Sequence, residues 1–326
     1  MTKEATMPGT DQAKEGAQAR TGGEALVDRL TAHGVDTVFL VPGIQLDWAV
    51  DALARTPSIR CLVPRHEQTV TYMADGYART TGRPGVGMVV PGPGVLNAGA
   101  GLATAYACNA KVLLLAGQIH SEAIGKGFGN LHEIKNQSAV LEALTKWSSL
   151  VESRGVLSAT LDEAFAQLSE GRPRPVAVEL PYDILMARGT DQPAAVRPAA
   201  VVAEPDTRQI AAAARLIDAA RLPVLYVGGG AHGAAAEIRA LAETVGMPVV
   251  ASENGRGCLP DSHPLSFTTL GGRALFQRAD LVVVVGSRFM DVMTPRPSWE
   301  QEDKRYVYIN LDAADTAPPR RPDDFL

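Results

Sequence analysis

Short, continuous apolar runs alternate along this chain with segments of helical period, and that alternation admits few folds. The runs are Thr37–Val41, Ile59–Val63, Val86–Val90, Lys111–Ala116 and Pro175–Glu179, then Pro223–Val227, Met247–Ala251, Asp280–Val285 and Arg305–Asn310. A strand with apolar residues at successive positions is buried on both faces, as in a parallel sheet covered by helices. Helices are predicted between the runs at Glu24–His33, Leu46–Ala54, Pro93–Cys108, Ser138–Leu144 and Leu157–Glu170, and later at Asp206–Ala220 and Ala234–Val245. The fold class that follows is α/β, with two doubly wound parallel-sheet domains. A length of 326 residues suits two domains. The proline- and alanine-rich stretch 187–205 lacks periodicity and reads as a linker between domains at 21–186 and 206–312. The polar ends, 1–20 and 313–326, are expected to be disordered tails.

Composition removes several function classes. The net charge of −5 carries no basic stripe, so nucleic acid is not an expected partner. Cys61, Cys108 and Cys258 are far apart and form no CxxC pair, which argues against a zinc site or a disulfide framework and fits a reducing cytoplasm. The residues up to Arg20 have no apolar core and do not read as a signal peptide. No apolar run approaches the roughly 18 residues of a membrane span.

Chemistry concentrates in Val63–Gly94. Glu67 ends a predicted strand and begins a helix whose buried face is Val70, Met73, Ala74, Tyr77 and Ala78. An acidic residue there can simply sit at the positive end of a helix. The surrounding motifs add a second meaning: Arg65-His66-Glu67-Gln68, Met73-Ala74-Asp75-Gly76-Tyr77-Ala78-Arg79, Thr81-Gly82-Arg83-Pro84-Gly85 and Gly92-Pro93-Gly94-Val95-Leu96-Asn97. These resemble the pyrimidine-binding domain of thiamine diphosphate-dependent enzymes, in the acetolactate synthase-like branch. The resemblance runs in order from about Gly22 to about Asp312 and implies a pyrimidine-binding domain followed by a Rossmann-like central domain.

The resemblance implies site residues. A carboxylate hydrogen-bonded to the cofactor's aminopyrimidine promotes the imino tautomer that acts as internal base, and this role falls on Glu67. Such a carboxylate works best in a dry site. Pro42-Gly43 would face the reactive carbon, or form an ordinary turn. Val90-Pro91-Gly92 and Asn97 would flank the ring, with Pro91 in place of the serine usual in acetolactate synthases. Gln118 would face the site from a strand end. His66, His120 and His132 are titratable candidates, with a surface role as the alternative. The loop Gly125–Glu133, GKGFGNLHE, departs from the acetolactate synthase pattern.

In the second half, strand PVLYV leads into Gly228-Gly229-Gly230-Ala231-His232-Gly233, a GxGxxG turn with Glu253 further on. By itself this suggests a nicotinamide-dependent oxidoreductase. The resemblance instead implies a central domain that in some relatives holds FAD, at positions matching Gly228, Gly229, Gly230, Gly271, Gly272, Arg288 and Asp291. Thr269-Leu270 depart from the usual wording there. No GDG motif occurs in the sequence. The resemblance therefore implies that Mg²⁺ and the diphosphate are held by a partner chain, in a homodimer or a hetero-oligomer with a GDG-bearing chain. The implied reaction is decarboxylation or ligation of a 2-oxo acid. The alternative is a catalytically inactive truncated homologue that only folds, dimerises or binds nucleotide.

Overall fold

A computed structural model describes residues 19–190, 204–289, 304–313 and 322–326. The chain divides into two compact units, 1–200 and 201–326.

The first unit begins with β1 (Arg20–Thr21) and α1 (Gly22–Ala32), where Thr21 and Glu24 form a reciprocal capping box. Then follow β2 (Thr37–Leu40), α2 (Asp47–Ala54), β3 (Arg60–Leu62), α3 (Glu67–Thr81), β4 (Gly85–Val89), α4 (Pro93–Cys108) and β5 (Val112–Gln118). The unit continues with α5 (Gln137–Leu144), β6 (Trp147–Leu150), α6 (Leu157–Ser169), β7 (Val176–Pro181), α7 (Tyr182–Met186) and β8 (Arg188–Gly189). Six strands form a parallel sheet in the order β3-β2-β4-β5-β7-β6, and β1 pairs antiparallel with β8. One core packs α1, α2 and α6 on one face, around Leu26, Leu30, Leu53, Leu161 and Phe165. The other packs α3 and α4 around Val70, Ala74, Val95 and Leu102.

The α3–α4 packing fixes the geometry that matters later. Thr71 is fully buried, and its hydroxyl donates to the Ala98 carbonyl at 2.8 Å. A Cβ on Gly101 would overlap Thr71 Oγ1, so only glycine lets these two helices approach this closely. Lower on α3, Asp75 is buried; its Oδ1 has no hydrogen-bond partner and its Oδ2 lies 3.4 Å from Arg79. Burial raises the Asp75 pKa against the pull of Arg79. The native chain therefore holds this proton more tightly than the unfolded chain. Stability is lost as pH rises from the unfolded value of about 3.9 through the raised native one. In urea unfolding, the stability of wild type relative to Asp75→Asn is expected to fall as pH rises above about 4.

The second unit contains α8 (Thr207–Ala219), β9 (Pro223–Val227), α9 (Ala235–Val245), β10 (Val249–Ala251), β11 (Ser266–Thr268), α10 (Thr269–Arg278), β12 (Leu281–Val285), β13 (Arg305–Ile309) and β14 (Asp324–Phe325). Its parallel sheet has the order β11-β10-β9-β12-β13-β14. Both sheets are doubly wound and parallel, the expected class.

The structure differs from the sequence reading at the margins. Residues 322–326 are not an unstructured tail: Asp324–Phe325 pair with Val307–Tyr308, and the Leu326 amide donates to Tyr308 at 2.8 Å. Arg20, expected in a tail, and Arg188–Gly189, expected in a linker, pair with each other's strands. Residues 1–18, 191–203 and 314–321 lie outside the described residues.

Candidate active site

In an open parallel sheet, ligands bind beyond the carboxyl ends of the strands where the strand order reverses. The first sheet runs from β2 outward to β3 and then returns past β2 to β4, so its crevice lies between the ends of β2 and β4. Pro42-Gly43 follow β2, and Val90-Pro91-Gly92 follow β4. The two segments touch: a Cβ on Gly43 would overlap Val90 Cγ1. Gly92 adopts φ +55° and ψ −108°, and a Cβ there would overlap the His132 carbonyl oxygen. Only glycine meets both constraints.

Glu67 is the first residue of α3 and is half-buried. Its Oε2 accepts a hydrogen bond from Asn97 Nδ2 at 2.9 Å. Asn97 lies in the second turn of α4, so the glycine-mediated approach of α3 and α4 is what brings the pair together. No hydrogen bond is made to Glu67 Oε1 among the described residues. The dry surroundings expected for this carboxylate are not formed by the described residues. Instead the region carries exposed apolar side chains: Ile44 after β2, Val63 before Glu67, Tyr72 on α3, Leu96 on α4, and Phe128 and Leu131 in the loop after β5. Exposed apolar patches of this kind mark surfaces that another surface covers.

Gln118 ends β5 but is 5 % exposed and turned inward. Its Nε2 donates to Glu179 at 2.8 Å and its Oε1 accepts the Ile119 amide at 2.8 Å. Both polar ends of the side chain are hydrogen-bonded within the protein. Gln137, which sequence reasoning did not single out, reaches the turn instead. Its Oε1 accepts the Gly92 amide at 2.8 Å, and its Nε2 donates to the Gly117 carbonyl at 2.9 Å and to Glu179 at 3.0 Å. Glu179 was likewise overlooked, although an acid ending the apolar run PVAVE was a usable signal.

Two of the histidines are helix caps. His66 Nδ1 accepts the Gln68 amide at 3.1 Å, and His120 caps a short turn, its Nδ1 3.4 Å from the Glu122 amide. His132 is different. It holds φ +68°, unusual without glycine, and its Nδ1 lies 3.1 Å from Gln45 Oε1. Gln45 Nε2 donates to the Leu131 carbonyl at 3.0 Å, which fixes the amide orientation and makes His132 Nδ1 the donor. The loop bearing His132 closes on itself: Glu133 accepts the Asn130 amide at 2.8 Å, and that bond holds its carboxyl below the usual range.

The second sheet reverses between β9 and β12, and the GGGAHG turn lies there. Cβ atoms on Gly228 and Gly230 would strike the Gly286 backbone, in Gly230's case its Cα at 3.0 Å, and one on Gly272 would lie 2.5 Å from Val250 Cγ1. Crowding within the unit accounts for glycine at these positions. Gly229 and Gly271 are exposed with more room, their nearest neighbours 3.4 and 3.7 Å away, and Arg288 is half-buried. Asp291 lies outside the described residues. His232 joins the two loops of the turn, its Nε2 2.8 Å from the Asn254 carbonyl and its Nδ1 3.6 Å from Cys258 Sγ. Burial pushes the Cys258 thiol up.

Among the described residues, no helix is long and apolar enough to cross a membrane, and no three His, Cys, Asp or Glu side chains are grouped to hold a metal.

Two family models match the chain: "Thiamine pyrophosphate enzyme, N-terminal TPP binding domain" over residues 20–140 and "Thiamine pyrophosphate enzyme, central domain" over residues 210–324. The chain is similar to "Probable 2-ketoarginine decarboxylase AruI" of Pseudomonas aeruginosa, 40 % identical over 278 residues, covering 83 % of this chain and 49 % of that protein. It is similar to acetolactate synthase large subunit IlvB1 of Mycobacterium tuberculosis, 36 % identical over 317 residues, covering 94 % of this chain and 51 % of that protein. To acetolactate synthase isozyme 1 large subunit of Escherichia coli it is 32 % identical over 310 residues, covering 93 % of this chain and 54 % of that protein. The chain spans about half the length of the curated relatives it matches. With both sheets, their order along the chain and the family matches in agreement, the chain belongs to the thiamine pyrophosphate enzyme family and carries its N-terminal TPP-binding and central domains.

Proposed function

We propose that this chain supplies the aminopyrimidine-holding half of the active site in a thiamine diphosphate-dependent enzyme that decarboxylates a 2-oxo acid or joins it to a second carbonyl compound. The observation that carries this reading is Glu67: one carboxylate oxygen is held by Asn97, and the other makes no hydrogen bond among the described residues. The donor set fits the cofactor's ring, since a carboxylate with one oxygen anchored and one available matches a ring nitrogen that must share a proton. When bound, the cofactor supplies a carbon nucleophile for the 2-oxo acid's carbonyl and an electron sink for the departing CO₂.

The chain's residues have separate tasks in this reading. Glu67 Oε1 holds the proton shared with the ring, and Asn97 keeps the carboxylate from rotating away. Gly43 and Gly92 let backbone approach the flat ring, and buried Val90 and Pro91 exclude water beneath it. The exposed apolar rim is covered by a second surface, and a GDG-bearing chain holds the diphosphate and Mg²⁺. Free thiols at Cys61, Cys108 and Cys258 suit a cytoplasmic protein. No step is assigned to FAD: of the glycines expected to contact it, Gly228, Gly230 and Gly272 are claimed by packing within the unit.

The test is CO₂ release from a panel of 2-oxo acids by the full chain, with thiamine diphosphate and Mg²⁺, alone and after co-purification from its host. Release that depends on both cofactors supports the reading. An inert preparation, alone and with every co-purifying chain, points to the catalytically inactive alternative.

A further inference from the structure

Glu179 is the most deeply buried carboxylate among the described residues of the first unit, 1 % exposed, and the proposed reaction does not use it. It lies on β7, where its neighbours along the strand are apolar and buried. Among the described residues no arginine or lysine pairs with it, and three side chains donate to it instead. Gln118 Nε2 and Gln137 Nε2 donate to Oε2 at 2.8 and 3.0 Å, and the Ser138 hydroxyl donates to Oε1 at 2.5 Å. A buried carboxylate is costly unless its hydrogen bonds are made, and here they come from the end of β5 and the start of α5.

The orientation of Gln137 follows from this arrangement. Its NH₂ group faces two acceptors, the Gly117 carbonyl and Glu179, so its oxygen is left to accept the Gly92 amide. Gly92 sits in the strained turn at the mouth of the crevice between β2 and β4. The geometry points to Glu179 as a positioning residue: through Gln137 it sets the Gly92 turn against which the cofactor ring lies. The cofactor clause of this inference rests on the proposed function; the relay from Glu179 to Gly92 does not. Leucine at 179 removes the shared acceptor of the Gln118 and Gln137 NH₂ groups. The Gln137 NH₂ group is then held by the Gly117 carbonyl alone, and its oxygen is no longer fixed on the Gly92 amide.

Amide hydrogen exchange of the full chain, resolved by residue with NMR, tests the relay without reference to turnover. In Glu179→Leu and in Gln137→Leu, the Gly92 amide is expected to exchange about 10-fold faster, the factor one hydrogen bond of ordinary net strength carries. Val86–Val89 in β4 should keep wild-type rates, and the double variant should exchange at Gly92 no faster than Gln137→Leu. Should Glu179→Leu fail to fold, Glu179→Asp carries the same test, because it keeps the charge and retracts the acceptors by one methylene. Wild-type exchange at Gly92 in these variants, or equal acceleration along all of β4, overturns the inference.

A second readout is thiamine diphosphate titrated, with Mg²⁺, into the active assembly. Half-saturation should need about 10-fold more cofactor in Gln137→Leu, with kcat at saturation within about twofold of wild type. A kcat that falls with unchanged half-saturation contradicts a positioning role. Accelerated Gly92 exchange in a protein that takes up no thiamine diphosphate supports the relay and removes the cofactor reading instead.

Discussion

Replacing Glu67 by Gln is expected to lower 2-oxo acid turnover by about 10²–10⁴-fold, the range that proton transfer by a positioned side chain contributes. The unfolding midpoint of the full chain should stay close to wild type. Both expectations follow from where Glu67 sits. It is half-buried at the first position of α3, and His66 rather than Glu67 caps the helix. An amide of the same shape can still accept from Asn97 with its oxygen, so the α3–α4 contact survives. What the amide lacks is a second oxygen able to take and return a proton. Turnover of Glu67→Gln within a few-fold of wild type, measured as CO₂ release, would remove the carboxylate from the chemistry. A large fall in the midpoint would give Glu67 the other role open to it, that of a charge at a helix N-terminus.

Gly92→Ala should be the most damaging single methyl group at this site. The residue holds φ +55° and ψ −108°, which costs an alanine on the order of 1–3 kcal/mol. The new Cβ also overlaps the His132 carbonyl oxygen, and Ile134 Cγ2 lies 3.3 Å away on the same side. Overpacking of this kind adds roughly 1–3 kcal/mol. The main chain can relieve the overlap only by pulling the Gly92 amide from Gln137 or by moving the loop that ends in His132 and Glu133. The expected results are a lower urea midpoint with an unchanged slope, and loss of thiamine diphosphate binding in the fraction that remains folded. By contrast, Gly125→Ala and Gly127→Ala meet nothing within 4 Å and carry only the cost of positive φ, so their midpoints should fall less. Equal midpoints for Gly92→Ala and Gly127→Ala would remove the crowding argument.

The architecture was legible because parallel strands buried on both faces are written as unbroken apolar runs. VLLLA, VAVEL, PVLYV and LVVVV are each central in their sheets, and each was readable. Edge strands carry less of this signal. WSSL in β6 is half-buried along its length, SFT in β11 has one exposed residue of three, and the two residues of β14 sit among charges. Each is held by backbone pairing with the strand beside it, β7, β10 or β13, which no local side-chain pattern records.

The site divides along a similar line. Glu67, Gly43 and Gly92 sit at strand–helix junctions, where motif and local geometry coincide. The hydrogen bond from Gln118 to Glu179 was not readable, because its partner lies 61 residues further on. Gln137 was missed because its task, accepting from Gly92, spans 45 residues and leaves no mark on its own neighbours. The positive φ of His132 was equally hidden, since neither a glycine nor an asparagine announces it. The GGGAHG turn has two readings, and the resemblance already set the nicotinamide one aside. Its pattern suits a dinucleotide, but Gly228 and Gly230 are needed where two loops of the domain's own backbone meet.

The central claim is that this chain presents Glu67 Oε1 to the aminopyrimidine ring. The most direct test is a crystal structure of the catalytic assembly loaded with thiamine diphosphate and Mg²⁺. The account predicts a ring nitrogen within about 2.6–3.2 Å of Glu67 Oε1, with Asn97 still donating to Oε2 and the ring lying against the Gly92 turn. A ring bound elsewhere, or Glu67 facing solvent with the cofactor in place, would contradict it.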